Sequence, residues 1–366
     1  MTVRMREGRP VRTRAPALLQ GEAVQDLMRK AIDLAAGTRP HPNPRVGALV
    51  VGSDGKIMGH GAHHGPGLPH AEVLALGEAG DARGATVITT LEPCAHHGRT
   101  PPCTDALIKA GVAKVVIGAI DPDSKVAGRG VAALRGAGIE VINVLSEEAK
   151  ALDPGYFHHR RSGRARVTLK MASTLDGQTA AVDGTSQWLT GPESRADAHR
   201  LRAASDAVIV GAGTVIRDDP RLDVRLDGYD GPQPQAVVIA GQRPIPPDAI
   251  VFQRKSLVYS PRSLELPVEV VVLGNDDGVD LGAVLVDLGA RGRLDVLVEG
   301  GAGLAGGLWE LGLVDRGVFY LGAKVAGGVG KGMFDKAFES LPAATVVDVT
   351  GVALSGGDVR VEFEVI

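Results

Sequence analysis

Three potential metal ligands and one nearby carboxylate constrain this chain more than any other feature. His70 is followed two residues later by Glu72, and the two cysteines of the chain, Cys94 and Cys103, come after them. One imidazole and two thiolates can hold a tetrahedral zinc ion and leave its fourth position for water, which is the pattern of catalytic zinc sites. Zinc lowers the pKa of a bound water to about 7, and Glu72 stands where a carboxylate can move the protons. The sequence therefore predicts one zinc-dependent hydrolytic site per chain.

Two other interpretations of this motif stay open. His96 or His97 could close the site as a fourth ligand and make the zinc structural, although a structural site has no use for a carboxylate two residues from a ligand. Alternatively, the two cysteines could be buried thiols without a metal. Both directly follow a proline in the sequence and share an H-x-E partner, which favours the metal site.

An H-x-E motif followed by Pro-Cys is the signature of the zinc nucleobase deaminases, whose second cysteine usually follows after two residues. Here it comes much later, and the whole run LEPCAHHGRTPPC at 91–103 resembles the bifunctional riboflavin-biosynthesis deaminase-reductases. The resemblance extends to HPNPRVG at 41–47, where it implies that Asn43 binds the substrate. It also implies a cytidine-deaminase-like fold around the zinc.

Helix and strand patterns alternate around these motifs. Apolar residues recur at helical spacing over 22–36, 70–76, 104–110 and 131–136, and strands are predicted at 48–51, 86–91, 114–120 and 139–142. This alternation predicts a mostly parallel sheet covered on both faces, hence a three-layer α/β/α domain over residues 21–150. The glycine-rich stretch at 61–67 contains His63 and His64, which we expect to be solvated.

Composition limits the classes of partner. The 366 residues exceed the size at which one core usually keeps growing, so two domains are expected. A net charge of −3 and 3% aromatic residues provide neither the basic field nor the stacking surfaces of nucleic-acid enzymes. A small phosphoribosylated pyrimidine suits the chain better, with a homo-oligomer left open. No apolar run could cross a membrane, and no cysteine remains for a disulfide, which favours the cytoplasm.

Two segments lack the pattern of a folded domain. Residues 1–20 are rich in arginine and broken by glycine and proline, so we predict a disordered tail rather than a transit peptide. Residues 151–165 lose hydrophobic periodicity and contain the basic run HHRRSGR at 158–164, which predicts a linker with a solvated face. A contact of this run with substrate phosphate is the alternative.

Residues 166–366 resemble the reductase half of the same enzymes, whose fold is similar to dihydrofolate reductase. The similarity rests on VTLKMASTLDG at 167–177, SQWLT at 186–190 and DAVIVGAGTVIRDDP at 206–220. It implies NADPH as the cofactor, and it implies a substrate site made of Ser186, Arg202, Arg225 and Glu299. The cofactor would be lined by Ala172, Trp188, Thr214, Asp218, Gly301, Gly303, Gly306 and Gly307.

Elementary chemistry supports part of this assignment and leaves part open. The glycine-rich run 300–307 follows a predicted strand at 294–299 and precedes a predicted helix at 308–311, so its backbone can approach a pyrophosphate, but a tight strand-to-helix connection fits equally.

Arg202 and Arg225 suit a bidentate grip on a ribose phosphate, or each pairs with an acid instead. Lys170 and Asp218 are candidates for protonating or orienting a ring-opened ribose; the alternatives are a surface lysine and a helix-capping aspartate. Trp188 is otherwise an ordinary core residue.

These features together predict two consecutive reactions. The first domain would replace an amino group of a phosphoribosylated diaminopyrimidinone by oxygen, and the second would reduce the ribosyl group to ribityl with NADPH. One alternative is a zinc deaminase for another nucleotide or a nucleic-acid base with an unrelated C-terminal domain. Another is a zinc-stabilised nucleotide-binding protein without catalysis.

Overall fold

In the computed structural model, the described residues are 21–124, 126–335 and 340–366, and the chain divides into two compact units, Met1–Arg160 and Arg161–Ile366. The predicted disordered tail, 1–20, lies outside the described residues. Each unit has its own sheet and its own hydrophobic cores. Over the described residues, no helix is both long and apolar enough to cross a bilayer.

Unit 1 alternates helices and strands, as predicted. In chain order its elements are α1 (Glu22–Ala36), β1 (Gly47–Val51), β2 (Ile57–Ala62), α2 (Ala71–Ala79), β3 (Thr86–Leu91), α3 (Cys103–Ala110), β4 (Lys114–Ala119), α4 (Arg129–Gly136), β5 (Glu140–Asn143), α5 (Glu147–Lys150) and α6 (Pro154–Ser162), the last of which runs two residues into unit 2.

The sheet of unit 1 has the strand order β2-β1-β3-β4-β5 over the described residues. The expectation of a mostly parallel sheet is wrong for half of its pairs: β3, β4 and β5 are parallel, but β1 runs antiparallel to both β2 and β3. A short turn over 52–56 joins β1 directly to β2 and permits only antiparallel pairing of these two strands. Helix α2 connects β2 to β3, so these two strands run in the same direction and β1, which lies between them, is antiparallel to both.

Helices cover both faces of this sheet, which confirms the three-layer architecture. The apolar side of α1 packs on one face through Leu27, Met28 and Ala31, and α2, α3 and α4 form the core of the other. Gly47 lets α1 approach closely, since a Cβ at this position would lie 2.0 Å from the carbonyl oxygen of Ala31.

The stretch predicted as a linker contains helix α6. The sequence pattern does not show this helix, because Tyr156 and Phe157 are its only large buried side chains and the basic residues that follow are more exposed. Asp153, just before the helix, forms an ion pair with Arg45 at 2.9 Å. The segment is therefore part of a packed structure, and the domain boundaries themselves stay a prediction.

Unit 2 contains the remaining α-helices and strands, together with two short 3-10 helices at Ile250–Gln253 and Leu341–Ala343. The α-helices and strands are β6 (Arg166–Thr174), β7 (Gln178–Ala180), α7 (Pro192–Ala204), β8 (Ala207–Gly211), α8 (Ala212–Asp218), β9 (Gln235–Ile239), β10 (Ser256–Ser260), β11 (Glu269–Val272), β12 (Gly274–Asn275), β13 (Gly278–Val279), α9 (Leu281–Ala290), β14 (Asp295–Val298), α10 (Ala302–Glu310), β15 (Arg316–Gly322), β16 (Lys331–Gly332), β17 (Val347–Ser355) and β18 (Asp358–Val365).

In the described part of unit 2, the main sheet has the order β11-β10-β9-β8-β14-β6-β15-β18-β17. Its strands are parallel from β11 to β15, and β18 and β17 add an antiparallel edge. The carboxyl ends of β6, β14, β8 and β9 therefore meet along one edge, which is where open α/β sheets place their ligands. The mixed α/β fold agrees with the predicted class.

Helix α10 begins at Ala302, so the prediction of a helix over 308–311 is wrong at its start. The glycines at 303, 306 and 307 lie within the helix rather than in a preceding loop. Leu304, Ala305 and Leu308 have helical spacing and pack into the main core, and this burial outweighs the low helix propensity of glycine.

Candidate active sites

The structure brings the three predicted zinc ligands together. His70 is the N-cap of α2, one residue before the helix begins, whereas the sequence predicts it within the first turn. Cys94 follows β3, and Cys103 begins α3. The candidate ligand atoms lie within 4.8 Å of one another, and Nδ1 of His70 is 3.0 Å from Sγ of Cys103 and 3.6 Å from Sγ of Cys94. Neither His96 nor His97 belongs to this cluster, so among the described residues the set has the three members of a catalytic site.

Two side chains beside the cluster affect its reactivity: Thr100 orients the ring of His70, and Glu72 adds a buried carboxyl. The hydroxyl of Thr100 lies 3.1 Å from Nε2 of His70, which holds the ring with Nδ1 towards the cysteines. Glu72 is only 3% exposed, and burial raises the pKa of its carboxyl. The Cys103 thiol donates to Cys94 and lowers the pKa of that thiol to about 4, while the same contact raises the pKa of Cys103. One thiolate is thus favoured before any metal is considered, beside a carboxyl that readily holds a proton.

A cavity of about 520 Å³ opens onto this cluster. Glu72 and His70 lie on its wall together with the predicted substrate residue Asn43. The remaining polar side chains of the wall are His63, Glu92, His96, Arg99, Thr100, Asp121, Asp123, Tyr156 and Arg160. The cavity has room and hydrogen-bonding groups for a nucleotide-sized molecule.

His63 is buried, so the expectation that it is solvated is wrong. It directly follows β2 and remains in the interior, where Nδ1 lies 3.1 Å from the carbonyl oxygen of Pro69 and Nε2 lies 2.9 Å from Nδ2 of Asn43. Since the carbonyl can only accept and the amide nitrogen only donates, the ring is neutral with its proton on Nδ1. Burial also lowers its pKa. His64, in contrast, is exposed as expected.

Glu92 has a structural role that the sequence does not reveal. Its buried carboxylate accepts hydrogen bonds from the backbone amides of Gly128 at 3.0 Å and Val131 at 3.1 Å, at the start of α4. A carboxylate at a helix N-terminus satisfies amides that lack a partner within the helix. The loop after β4 is thereby fixed to the strand that delivers Cys94. No local motif could show this, because the partners lie far along the chain.

Asp121 and Tyr156 form a buried pair on the cavity wall. The Tyr156 hydroxyl lies 3.1 and 3.2 Å from the two carboxylate oxygens of Asp121, and the guanidinium of Arg160 stacks 5.0 Å above the tyrosine ring. Burial raises the pKa of Asp121 from 3.8 to about 6. The predicted linker thus supplies two side chains to the cavity of unit 1.

Asp121→Asn is expected to remove a component of the pH dependence of stability. The folded-state pKa of this carboxyl is raised, so its contribution is most favourable below pH 3.8 and declines by up to about 3 kcal/mol as the pH rises through about 6. Asparagine cannot ionise, so the variant should gain stability relative to wild type between pH 4.5 and 7.5, measured by denaturant unfolding at both values. Asp81→Asn, which changes an exposed acid, should follow wild type; equal pH dependence of all three proteins would contradict the prediction.

A cavity of about 1030 Å³ follows the carboxyl edge of the sheet in unit 2. Eight predicted residues line it: Lys170, Ala172, Ser186, Thr214, Asp218, Glu299, Gly301 and Gly303. Gly306 and Gly307 do not, because they lie further along α10, where Gly306 is buried. Only the first turn of this helix therefore borders the space that a cofactor could fill.

A second cavity, of about 600 Å³, shares Thr214, Asp218 and Glu299 with the first. Trp188 lies on its wall and is 61% exposed, so the alternative that this residue is core is wrong. The guanidinium of Arg195 stacks 4.5 Å from the centre of its indole ring. The shared residues place the two cavities side by side, which suits a cofactor and a substrate that must meet.

Both predicted phosphate-binding arginines pair with acids, the alternative that the sequence left open. Arg202 and Glu299 form a mostly buried bidentate ion pair at 2.6 and 3.1 Å, and a third nitrogen of Arg202 donates to the carbonyl oxygen of Asp223 at 2.9 Å. All three nitrogens of Arg202 thus have protein partners, and its binding of phosphate stays a prediction. Arg225 pairs with the Asp223 side chain but remains half exposed on the cavity wall, where it can still meet an anion.

Lys170 is not a surface lysine. Its ammonium lies 5.7 Å from the centre of the Tyr320 ring, close enough to Glu299 and Arg202 to interact with their charges. Burial lowers its pKa, with Glu299 acting in the opposite direction, so the group can exchange a proton more readily than an exposed lysine. Asp218 is the exposed last residue of α8, so it does not cap the start of that helix.

Comparison with known proteins was consistent for both units. Residues 22–119 match the family described as cytidine and deoxycytidylate deaminase zinc-binding region, and residues 165–353 match the RibD C-terminal domain. The riboflavin biosynthesis protein RibD of Chlamydia trachomatis is 42% identical, with 92% of this chain and 94% of that protein covered; that of Escherichia coli is 41% identical, with 84% and 88% covered.

Solved structures give the same result. RibD of Acinetobacter baumannii superimposes with a TM-score of 0.85 at 37% identity, covering 94% of this chain and 99% of that one. A diaminohydroxyphosphoribosylaminopyrimidine deaminase/5-amino-6-(5-phosphoribosylamino)uracil reductase of Thermotoga maritima has a TM-score of 0.82 at 35% identity, covering 94% and 99%. The similarity spans both units.

Proposed function

The chain belongs to the RibD family, the bifunctional deaminase-reductases of riboflavin biosynthesis, and we propose from its two sites which residues carry out each reaction. Unit 1 would hydrolyse the 2-amino group of 2,5-diamino-6-(5-phosphoribosylamino)pyrimidin-4(3H)-one, releasing ammonia. Unit 2 would then reduce the ribosyl group of the product to ribityl phosphate. The observation that carries this proposal is the buried Glu72 beside three convergent ligand atoms in a cavity of nucleotide size.

In the deaminase site, His70, Cys94 and Cys103 would hold one zinc ion per chain, since two sulfurs and one nitrogen are a donor set that suits zinc. The ion would supply an activated water for attack on the ring carbon. Glu72 would take the proton of that water and deliver it to the departing amino group, a task that the raised pKa of its buried carboxyl favours. Asn43, fixed by neutral His63, would hydrogen-bond the nucleotide.

In the reductase site, the cofactor would lie along the large cavity, with its pyrophosphate at the first turn of α10 near Gly301 and Gly303. NADPH supplies the hydride that is transferred to C1′ of the sugar. Asp218, which lines both cavities, and Lys170, which lines the large one, would orient or protonate the ring-opened ribose. Ser186 and Arg225 would hold the rest of the substrate, while Glu299 would set the charge around Lys170 through its pair with Arg202.

Several wider properties belong to the same proposal. A small-molecule substrate, without nucleic acid or a membrane, suits the low net charge of the chain. The cytoplasm is the proposed compartment, because a reducing environment keeps the two free cysteines available as ligands. A homo-oligomer is compatible with these features.

The proposal is tested by coupling the two reactions in one assay. Purified, zinc-loaded full-length chain should release ammonia from the diaminopyrimidinone and oxidise NADPH in a following step. The deaminated pyrimidine should support NADPH oxidation without ammonia release. Absence of NADPH oxidation with either compound would refute the reductase assignment, and absence of ammonia release would refute the deaminase assignment.

A further inference from the structure

The large cavity of unit 2 extends along the sheet edge from β6 to the loop after β9. At one end are Lys170 and Ala172 of β6, and in the middle is Gly301, which lies between β14 and α10 and directly precedes the helix. At the other end Arg243 follows β9, beyond Gly213 after β8. Three strand spacings separate β6 from β9 in the order β6-β14-β8-β9, about 14 Å in all.

This layout fixes the direction in which a dinucleotide can lie. We assign the hydride end to Glu299, which lines both cavities, and to Lys170, whose charge interacts with that of Glu299. With its pyrophosphate at Gly301, the dinucleotide places its adenosine half over the ends of β8 and β9. The ribose 2′ position therefore faces the segment 241–243. In Rossmann folds an arginine near the ribose accommodates the 2′-phosphate of NADP, and the same charge chemistry applies at this sheet edge although the fold differs.

The guanidinium of Arg243, at this end of the cavity, is available to bind an anion. Over the described residues, the ion pairs within 4.0 Å engage Arg202 and Arg225 but include neither Arg243 nor Arg217. Arg243 is exposed to the cavity, and its Nη1 lies 3.5 Å from the place that a Cβ on Gly213 would occupy. Its loop is held in place, since the side chain of Gln242 donates to the carbonyl oxygen of Asp276 at 3.4 Å and Ala240 N–H donates to Tyr259 at 2.8 Å.

Arg217 lies nearer the middle of the cavity and gives a matched comparison. Its Nε donates to the carbonyl oxygen of Gly213 at 3.2 Å, and its Nη2 lies 3.5 Å from the place that a Cβ on Gly301 would occupy. Arg217 is thus beside the turn assigned to the pyrophosphate, which NADPH and NADH share. Arg243 is further along the edge, where the two cofactors differ.

We propose that Arg243 binds the 2′-phosphate of NADPH and makes unit 2 select NADPH over NADH. The inference rests on the proposed reductase function and adds to it the residue that discriminates between the two cofactors. A planar guanidinium can give two parallel charge-assisted hydrogen bonds to a phosphate, whereas the ribose hydroxyl of NADH offers no charge at this position.

The test compares Arg243→Gln with Arg217→Gln in the zinc-loaded full-length protein. Calorimetry would measure the binding of adenosine 2′,5′-bisphosphate and of 5′-AMP, which differ only in the 2′-phosphate. Arg243→Gln should weaken binding of the bisphosphate by about 10- to 100-fold and leave 5′-AMP unchanged. The kcat/KM for NADPH should fall by a similar factor, with that for NADH unaltered. Arg217→Gln should weaken both dinucleotides alike.

Each contrary result overturns the inference. Arg243 does not bind the 2′-phosphate if Arg243→Gln changes the affinities for both nucleotides equally or changes neither. The same conclusion follows if only Arg217→Gln changes the ratio of the two affinities. Preference of the wild type for NADH would instead point to Asp277, an acid on the same cavity wall, as the group that binds the ribose. Failure of the wild type to oxidise either dinucleotide would refute the proposed reductase function, while the nucleotide-binding comparison would still decide the role of Arg243.

Discussion

Replacing Glu72 with glutamine is expected to lower kcat for ammonia release by about 10²- to 10⁴-fold while the protein keeps its zinc. The carboxyl is buried beside the three ligand atoms but is not one of them, so its loss removes proton transfer without removing a metal ligand. Glutamine preserves the size of the side chain and cannot carry the proton. Ammonia release and zinc content per chain would be measured on the same preparations.

Two controls make this result specific. Glu78→Gln alters an exposed carboxylate of the same helix, which pairs with His60 at the surface, and it should leave ammonia release within a factor of two or so of wild type. The Glu72 variant should also reduce the already deaminated pyrimidine at the normal rate, because Lys170 and the cofactor cavity belong to the other unit. Undiminished ammonia release would contradict the role of Glu72, as would a variant that has lost its zinc.

The zinc cluster could be predicted because its information is local. His70 and Glu72 are two residues apart at the start of a helix, and the strand before Cys94 and the helix that begins at Cys103 are both visible as hydrophobic patterns. Element type and order specify which ends of these segments meet at the edge of a sheet. The order of these elements is therefore enough to predict that the ligands come together, and no pairing between side chains distant in sequence has to be known.

The residues that shape the deaminase cavity depend on contacts distant in sequence. Glu92 stabilises a helix start some forty positions later, and Tyr156 reaches Asp121 from a segment that has the composition of a linker. His63 lies in a glycine-rich stretch, which indicates a loop but not whether the loop faces solvent. Such partners have no periodicity, so a single sequence offers no signal for them.

In unit 2, the family resemblance names residues that line one cavity, but it does not show which charged side chains of that cavity pair with each other. Thr214 and Asp218, which it assigns to the cofactor, line one cavity together with Lys170, and their roles stay a prediction. It could not show that Arg202 and Glu299, both assigned to the substrate, would bind each other. Arginine and glutamate look equally suited to bind a ligand or a partner residue, and only the fold decides which atom comes within reach.

The Arg202 and Glu299 pair leads to the largest expected effect on stability. Both side chains are mostly buried, with 14% and 12% exposed, so Arg202→Met would remove the hydrogen-bonded partner of the Glu299 carboxylate and leave mainly the charge of Lys170 to compensate it. Breaking one partner of a buried pair typically costs about 3–5 kcal/mol, whereas replacing both by apolar residues of similar volume costs far less. We therefore expect Arg202→Met to lower the free energy of unfolding of unit 2 by that amount, and Arg202→Met with Glu299→Leu to recover most of it.

The two tryptophans provide the measurement, because Trp188 and Trp309 both belong to unit 2 and their fluorescence reports its unfolding in denaturant. Trp309 packs against Phe334 and Phe363, so it senses the loss of the core directly. A single variant as stable as wild type, with a raised KM for the pyrimidine, would instead restore Arg202 to the phosphate-binding role that its sequence context implied. The double variant separates these cases, because recovery of stability requires that the two side chains act mainly on each other.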